Sequence, residues 1–499
     1  MAKVELTTRR RNFIVAVMLI SAFVAILNQT LLNTALPSIM RELNINESTS
    51  LNTALPSIMR ELNINESTSQ WLVTGFMLVN GVMIPLTAYL MDRIKTRPLY
   101  LAAMGTFLLG SIVAALAPNF GVLMLARVIQ AMGAGVLMPL MQFTLFTLFS
   151  KEHRGFAMGL AGLVIQFAPA IGPTVTGLII DQASWRVPFI IIVGIALVAF
   201  VFGLVSISSY NEVKYTKLDK RSVMYSTIGF GLMLYAFSSA GDLGFTSPIV
   251  IGALIISMVI IYLFIRRQFN ITNALLNLRV FKNRTFALCT ISSMIIMMSM
   301  VGPALLIPLY VQNSLSLSAL LSGLVIMPGA IINGIMSVFT GKFYDKYGPR
   351  PLIYTGFTIL TITTIMLCFL HTDTSYTYLI VVYAIRMFSV SLLMMPINTT
   401  GINSLRNEEI SHGTAIMNFG RVMAGSLGTA LMVTLMSFGA KIFLSTSPSH
   451  LTATEIKQQS IAIGVDISFA FVAVLVMAAY VIALFIREPK EIESNRRKF

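Results

Sequence analysis

Acidic side chains are scarce in this chain: 20 Asp and Glu stand against 35 Lys and Arg in 499 residues. None of the 20 falls in the middle of a long apolar run. That excludes a buried carboxylate pair of the kind general acid–base catalysis uses. It also disfavours dications as ligands, which want a buried negative partner. Cysteine is nearly absent, and Cys289 and Cys368 both lie in apolar runs, so no disulfide framework is expected. The four histidines (His153, His371, His412, His450) show no metal-ligand spacing, so no metal and no cofactor is expected. Charge of either sign makes up only 11% of residues, against about 25% in a soluble domain.

Apolar sequence fills that space. Hydrophobic residues are 56% of the chain and the mean hydropathy is +0.81. About fourteen stretches are long enough to cross a bilayer, from Phe13–Leu36 to Ile463–Ile486. The first is read as an uncleaved span, since Asn28 and Gln29 interrupt it and no small-x-small cleavage site follows. The net charge of +15 is not spread evenly. Basic residues gather in alternate gaps, as at Arg9–Arg11, Arg93–Arg97, Lys214–Arg221, Arg279–Arg284, Lys342–Arg350 and Arg496–Lys498. This positive-inside pattern puts both termini in the cytoplasm and explains the basic excess without nucleic acid, which is not an expected partner. The expected class is an all-α membrane protein of fourteen spans with the lipid bilayer as its solvent.

Two halves are legible. Asp92-Arg93 followed by Arg97-Pro98-Leu99 recurs as Asp345-Lys346 followed by Arg350-Pro351-Leu352. Arg127 and Arg386 each interrupt a span and are each followed by a Met-Pro pair, Met138-Pro139 and Met395-Pro396. The expected organisation is a six-helix bundle over 1–207, a cytoplasmic link over 208–222, a two-helix insert over 223–267, and a second six-helix bundle with a cytoplasmic tail over 268–499. A repeat of another kind lies near the start, where Leu32–Ser50 recurs letter for letter as Leu51–Ser69. Loop lengthening costs only about 0.6 kcal/mol per doubling. The second copy is therefore expected in the first external loop, as a dispensable amphipathic segment.

Arg127 is the most informative residue. A guanidinium inside a span costs several kcal/mol, roughly, unless it is paired or meets water, and so marks function by default. Gln130 lies on the same helical face, and Gly133 and Gly135 allow close helix approach. Arg386 and Arg421 pose the same question nearer the cytoplasmic end. The fifth span carries Pro169, Gly172, Pro173 and Gly177, small-residue and proline positions that give a thin, kinkable face. Polar residues expected to line a cavity are Asn28, Gln29, Asn80, Gln130, Gln166, Asn333 and Asn398.

These elements together resemble the fourteen-span drug:proton antiporters of the major facilitator superfamily, and within them the lincomycin-resistance multidrug exporters. The resemblance rests on Leu27-Asn28-Gln29-Thr30 with Ala35-Leu36-Pro37, Gln70-Trp71-Leu72, Asp92-Arg93, Gly341 with Asp345-Lys346-Tyr347-Gly348, Arg127-x-x-Gln130, Gly172-Pro173 with Gly177, Trp185-Arg186, and Asn418-x-x-Arg421. It departs at Asn28, where the family often has Asp, and at Ala88 and Lys95, where Gly is usual.

The resemblance implies a bacterial plasma-membrane exporter, monomeric, that exchanges protons for amphiphilic drugs such as lincosamides and dyes. Two bundles would alternate access to a central cavity. Asp92 with Arg93 and Asp345 with Lys346 are then gating pairs, Arg127, Arg386 and Arg421 couple occupancy to closure, and Asp466 is a partly buried carboxylate suited to a proton. A nutrient uptake symporter is the alternative within transport, disfavoured by Gly172-Pro173. An integral-membrane lipid-modifying enzyme would need paired acids or a His cluster, and the sequence has neither.

Overall fold

The computed structural model describes residues 7–30, 66–180, 186–209, 211, 213, 218–271, 274–446 and 452–487. The copy of the repeat at Leu51–Ser69 lies outside the described residues up to position 65. Among the described residues are fourteen α-helices and no strand. They are α1 (Thr8–Thr30), α2 (Glu66–Arg93), α3 (Thr96–Ala115), α4 (Phe120–Leu148), α5 (Arg154–Ile180), α6 (Arg186–Ser206) and α7 (Lys220–Leu243). The series continues with α8 (Pro248–Asn270), α9 (Arg284–Asn313), α10 (Ala319–Tyr347), α11 (Pro349–Met366), α12 (Tyr376–Asn403), α13 (Ile410–Thr446) and α14 (Ala453–Leu484).

Twelve of these have described stretches long and apolar enough to cross a membrane. α11 falls short because it opens on Pro349-Arg350-Pro351 and carries five threonines in 18 residues. Those hydroxyls are satisfied locally: Thr355, Thr358, Thr361, Thr363 and Thr364 each donate to a carbonyl one turn back. Helix ends follow local chemistry. Asn119 and Asn283 cap α4 and α9, accepting from Val122 N at 3.0 Å and Phe286 N at 3.2 Å. Between α10 and α11 the backbone turns at Gly348 with φ of 86°, a conformation that an L side chain would strain.

The chain forms two compact units. One comprises residues 1–235, 255–280 and 406–419; the other comprises 236–254, 281–405 and 420–499. In the first, α4 packs on α1, α2 and α3, while α6 packs on α1 and α3. In the second, α12 packs on α9, α10 and α11, while α14 packs on α9 and α11. The same five pairings recur when each helix is advanced by eight, which is the sequence repeat expressed as packing.

Small residues make these approaches possible. A methyl group on Gly133 of α4 would sit 2.5 Å from the Ala103 carbonyl oxygen and 2.7 Å from the Phe107 nitrogen, both backbone atoms of α3. One on Gly110 would meet Gln130 N of α4 at 2.6 Å. With no hydrophobic force between helices in lipid, such close contact is what holds them together. Gly133→Val is therefore expected to lower the apparent melting temperature and the folded yield in fluorescence-detected gel filtration, by about 1–3 kcal/mol of overpacking. Gly194→Val, where an added methyl meets nothing within 4 Å, is expected to be neutral in the same assay.

Methionines of α9 pack in the same way. A methyl on Gly428 of α13 would lie 3.0 Å from Met298 Cα, and one on Gly420 would lie 3.2 Å from Met294 Cγ. Met294 and Met298 thus fill against a small-residue face of α13, which accounts for them as packing.

Candidate functional site

In the first unit the apolar residues Leu72, Ala114, Ala115, Ala117, Leu123, Ala126 and Phe189 make a core beside Arg127. Arg127 itself is fully buried. Its Nε donates to the Leu72 carbonyl of α2 at 3.1 Å, and its Nη1 donates to Gln130 Oε1 at 3.0 Å. Nη1 also reaches the Asn28 carbonyl, in the last turn of α1, at the long distance of 3.5 Å. The guanidinium lies 4.2 Å from the centroid of the Phe76 ring. Gln130 Nε2 then donates to Ser111 Oγ at 3.1 Å, and Ser111 donates to the Phe107 carbonyl at 2.8 Å. One polar thread therefore joins α1, α2, α3 and α4.

Among the described residues no carboxylate pairs with Arg127. Its Nη2 and both side-chain amide atoms of Asn28 are buried and find no partner among those residues. Buried polar atoms are nearly always satisfied, so a polar group that reached these atoms would be held there.

The second unit repeats the device. Arg386 of α12 is fully buried and its Nη2 donates to the Ser299 carbonyl of α9. Among the described residues its Nε and Nη1 are buried without a partner, as are both amide atoms of Asn333 in α10. Asn398 accepts from Ser293 Oγ at 3.1 Å, which ties α12 to α9. At another level of this unit, Asp466 of α14 accepts from the backbone N–H of Leu370 at 3.0 Å. The Tyr310 hydroxyl donates to the carbonyl of the neighbouring His371 at 2.5 Å.

The other sequence-derived residues fall as follows. Gln29 is partly exposed and Gln166 is buried. Asn80 packs against Gly135, whose added methyl would lie 3.0 Å from the Asn80 carbonyl. Pro169 lies exposed on α5, which continues as helix through Gly172, Pro173 and Gly177; the side chains from 170 to 180 lie outside the described residues. Lys346 sits 5.1 Å from the Tyr347 ring centroid, beside Asp345 at the end of α10. Arg421 is buried in α13.

Asp92 has the most specific surroundings of the loop residues. Its Oδ1 accepts from Ser411 Oγ at 2.6 Å and its Oδ2 lies 3.2 Å from His412 Nε2, both in the first turn of α13. A carboxylate there also meets the positive end of the helix dipole. The following Arg93 donates to the Tyr89 hydroxyl. Further along the same face of α13, Asn418 donates to Gln142 Oε1 of α4 at 2.9 Å.

The turn that carries Asp92 is held by Asn211. Its Oδ1 accepts from Thr96 N and Thr96 Oγ1, both at 2.8 Å, and its Nδ2 donates to the carbonyls of Met91 and Ile94 at 2.7 and 3.0 Å. Sequence reading missed Asn211, Ser411, His412 and Gln142. Their partners are more than one hundred residues away, and neutral polar residues at span ends carry no signal of their own.

Comparison with known proteins agrees with this architecture. The model of the Major Facilitator Superfamily matches residues 18–429. The chain is 40% identical over 475 residues to the lincomycin resistance protein LmrB of Bacillus subtilis, covering 95% of each chain. It is 26% identical over 438 residues to a probable multidrug resistance protein, EmrY, of Escherichia coli, covering 87% of this chain and 81% of that one. In fold it is similar to the crystal structure of the human organic anion transporter MFSD10, with a TM-score of 0.63, 11% identity, and coverage of 95% of this chain and 99% of that chain. This multi-pass membrane protein, with relatives named for drug resistance, belongs to the Major Facilitator Superfamily, and is a transporter and not an enzyme.

Proposed function

We propose that the chain is a proton-coupled multidrug efflux antiporter that exports lincosamide-type and other amphiphilic compounds by alternating access. The observation that carries this reading is Arg127: a buried cation that bridges three helices and has, among the described residues, no carboxylate partner, beside polar atoms of Asn28 that have none there either. Such a group responds to what enters its surroundings, whether water, a proton-bearing group or the polar end of a drug. The relative named for lincomycin resistance supports the substrate class. In this reading the chain has fourteen spans, two six-helix bundles and a two-helix insert, with both termini cytoplasmic, and works as a monomer. Neutral and singly charged amphiphiles suit an interior in which Arg127 and Arg386 are buried cations.

The test is proton movement in everted membrane vesicles carrying the chain, energised to an acid interior and then given lincomycin. Recovery of the pH signal on drug addition, absent from vesicles without the chain, is the expected result. Accumulation of labelled drug with no proton movement would replace the proton by another coupling ion. Neither response, with a panel of cationic dyes also inert, would overturn the drug-export assignment.

A further inference from the structure

The two connections that flank α7 and α8 converge on one place. The leading connection supplies Asn211, whose side chain makes four hydrogen bonds to the turn between α2 and α3. The trailing connection, after α8, supplies Asn277, whose backbone N–H donates to His412 Nδ1 at 3.2 Å. His412 Nε2 faces Asp92 of that same turn at 3.2 Å. The helix pair is itself locked to these connections. Asp219 takes a bidentate pair of bonds from Arg267 at 2.6 and 2.8 Å, and this holds its carboxyl down to about 2. Gln268 donates to Ser222 Oγ at 2.7 Å and accepts from Leu276 N at 3.2 Å. A continuous polar chain thus runs from the α7–α8 pair through residues 276 and 277 to His412 and Asp92.

The tautomer follows from the donors. A backbone N–H can only donate, so Nδ1 must be bare and the ring proton sits on Nε2, directed at Asp92. In this state the neutral imidazole is a bridge. Protonation adds a hydrogen to Nδ1. The bond from Asn277 is then lost, since two donors would face each other, while the contact with Asp92 becomes a charge-assisted pair.

We propose that His412 is a proton-operated coupling between the α7–α8 pair and the Asp92 turn: neutral, it joins them; protonated, it keeps Asp92 and releases the 274–280 connection. The pair then acts as a pH-dependent restraint on the first turn of α13, and this holds whatever the chain transports.

The other charged groups nearby already have partners or lie apart from the ring. Arg93 turns to Tyr89, Glu409 accepts from Arg406 N in the turn before α13, and Arg279 donates to the Phe269 carbonyl. Glu408 and Lys282 are solvent-facing. Among the described residues, Asp92 is therefore the anion that the ring meets directly.

Amide exchange of the intact protein in detergent, followed by mass spectrometry and corrected for intrinsic rates, tests the idea. Passing from about pH 8 to about pH 6 should speed exchange in peptides covering 274–280 by about fivefold, the population change one net hydrogen bond carries. His412→Lys, which donates but never accepts, should show the fast value at both pH values. His412→Gln, which both accepts and donates without titrating, should show no pH step. Peptides from α4 report whether each variant is folded. An unchanged step in His412→Gln, or slow exchange in a folded His412→Lys, would overturn the proposal. If the lysine variant does not fold, the glutamine variant and the wild-type step decide alone.

Discussion

Arg127→Ala is expected to abolish drug export at unchanged membrane levels of the protein. Truncation removes the donors met by the Leu72 carbonyl and Gln130 Oε1, and it leaves the Phe76 face without its cation. Each buried acceptor left unpaired costs about 1–3 kcal/mol, which corresponds to roughly ten- to hundredfold in any conformational equilibrium that Arg127 biases. Arg127→Lys keeps the charge but not the fork. An ammonium on a flexible stem cannot meet Leu72 and Gln130 in the fixed directions of a guanidinium, so roughly tenfold loss is expected. Resistance of drug-sensitive cells, read beside thermal stability of each purified variant, checks this. Full export by a stable Arg127→Ala protein would reduce the residue to a packing element.

Arg127 was legible in the sequence because an ionisable residue in an apolar run has a cost that demands a reason. The fourteen apolar runs were legible on the same ground, and each corresponds to a helix among the described residues. The internal repeat was visible as two short charged motifs, and the structure shows it as five recurring helix pairings. Other features depend on chain closure and left no local trace. Asp92 and Ser411 are 319 residues apart, and Asn277 and His412 are 135 apart. A serine, an asparagine and a lone histidine at span ends look like ordinary interfacial residues until the fold brings them together. The packing of the α9 methionines is likewise a product of the fold: Met294 and Met298 lie against the glycines of α13, where small residues leave room that a flexible thioether fills.

Asp466→Asn is expected to separate drug movement from the proton gradient. Asp466 is a partly buried acid of α14, with one oxygen held by the Leu370 N–H at 3.0 Å. Asparagine retains an acceptor for that bond and nearly the same volume, so helix packing should survive while the titrating group is lost. If protonation there drives the return step, the variant should still exchange labelled for unlabelled drug down a gradient. It should fail to accumulate drug against one. Counterflow and gradient-driven uptake, measured in the same everted vesicles, distinguish the two. Undiminished uphill transport in Asp466→Asn would move the proton to another group, and Asp92, held by Ser411 and His412 at the start of α13, would be the next to replace.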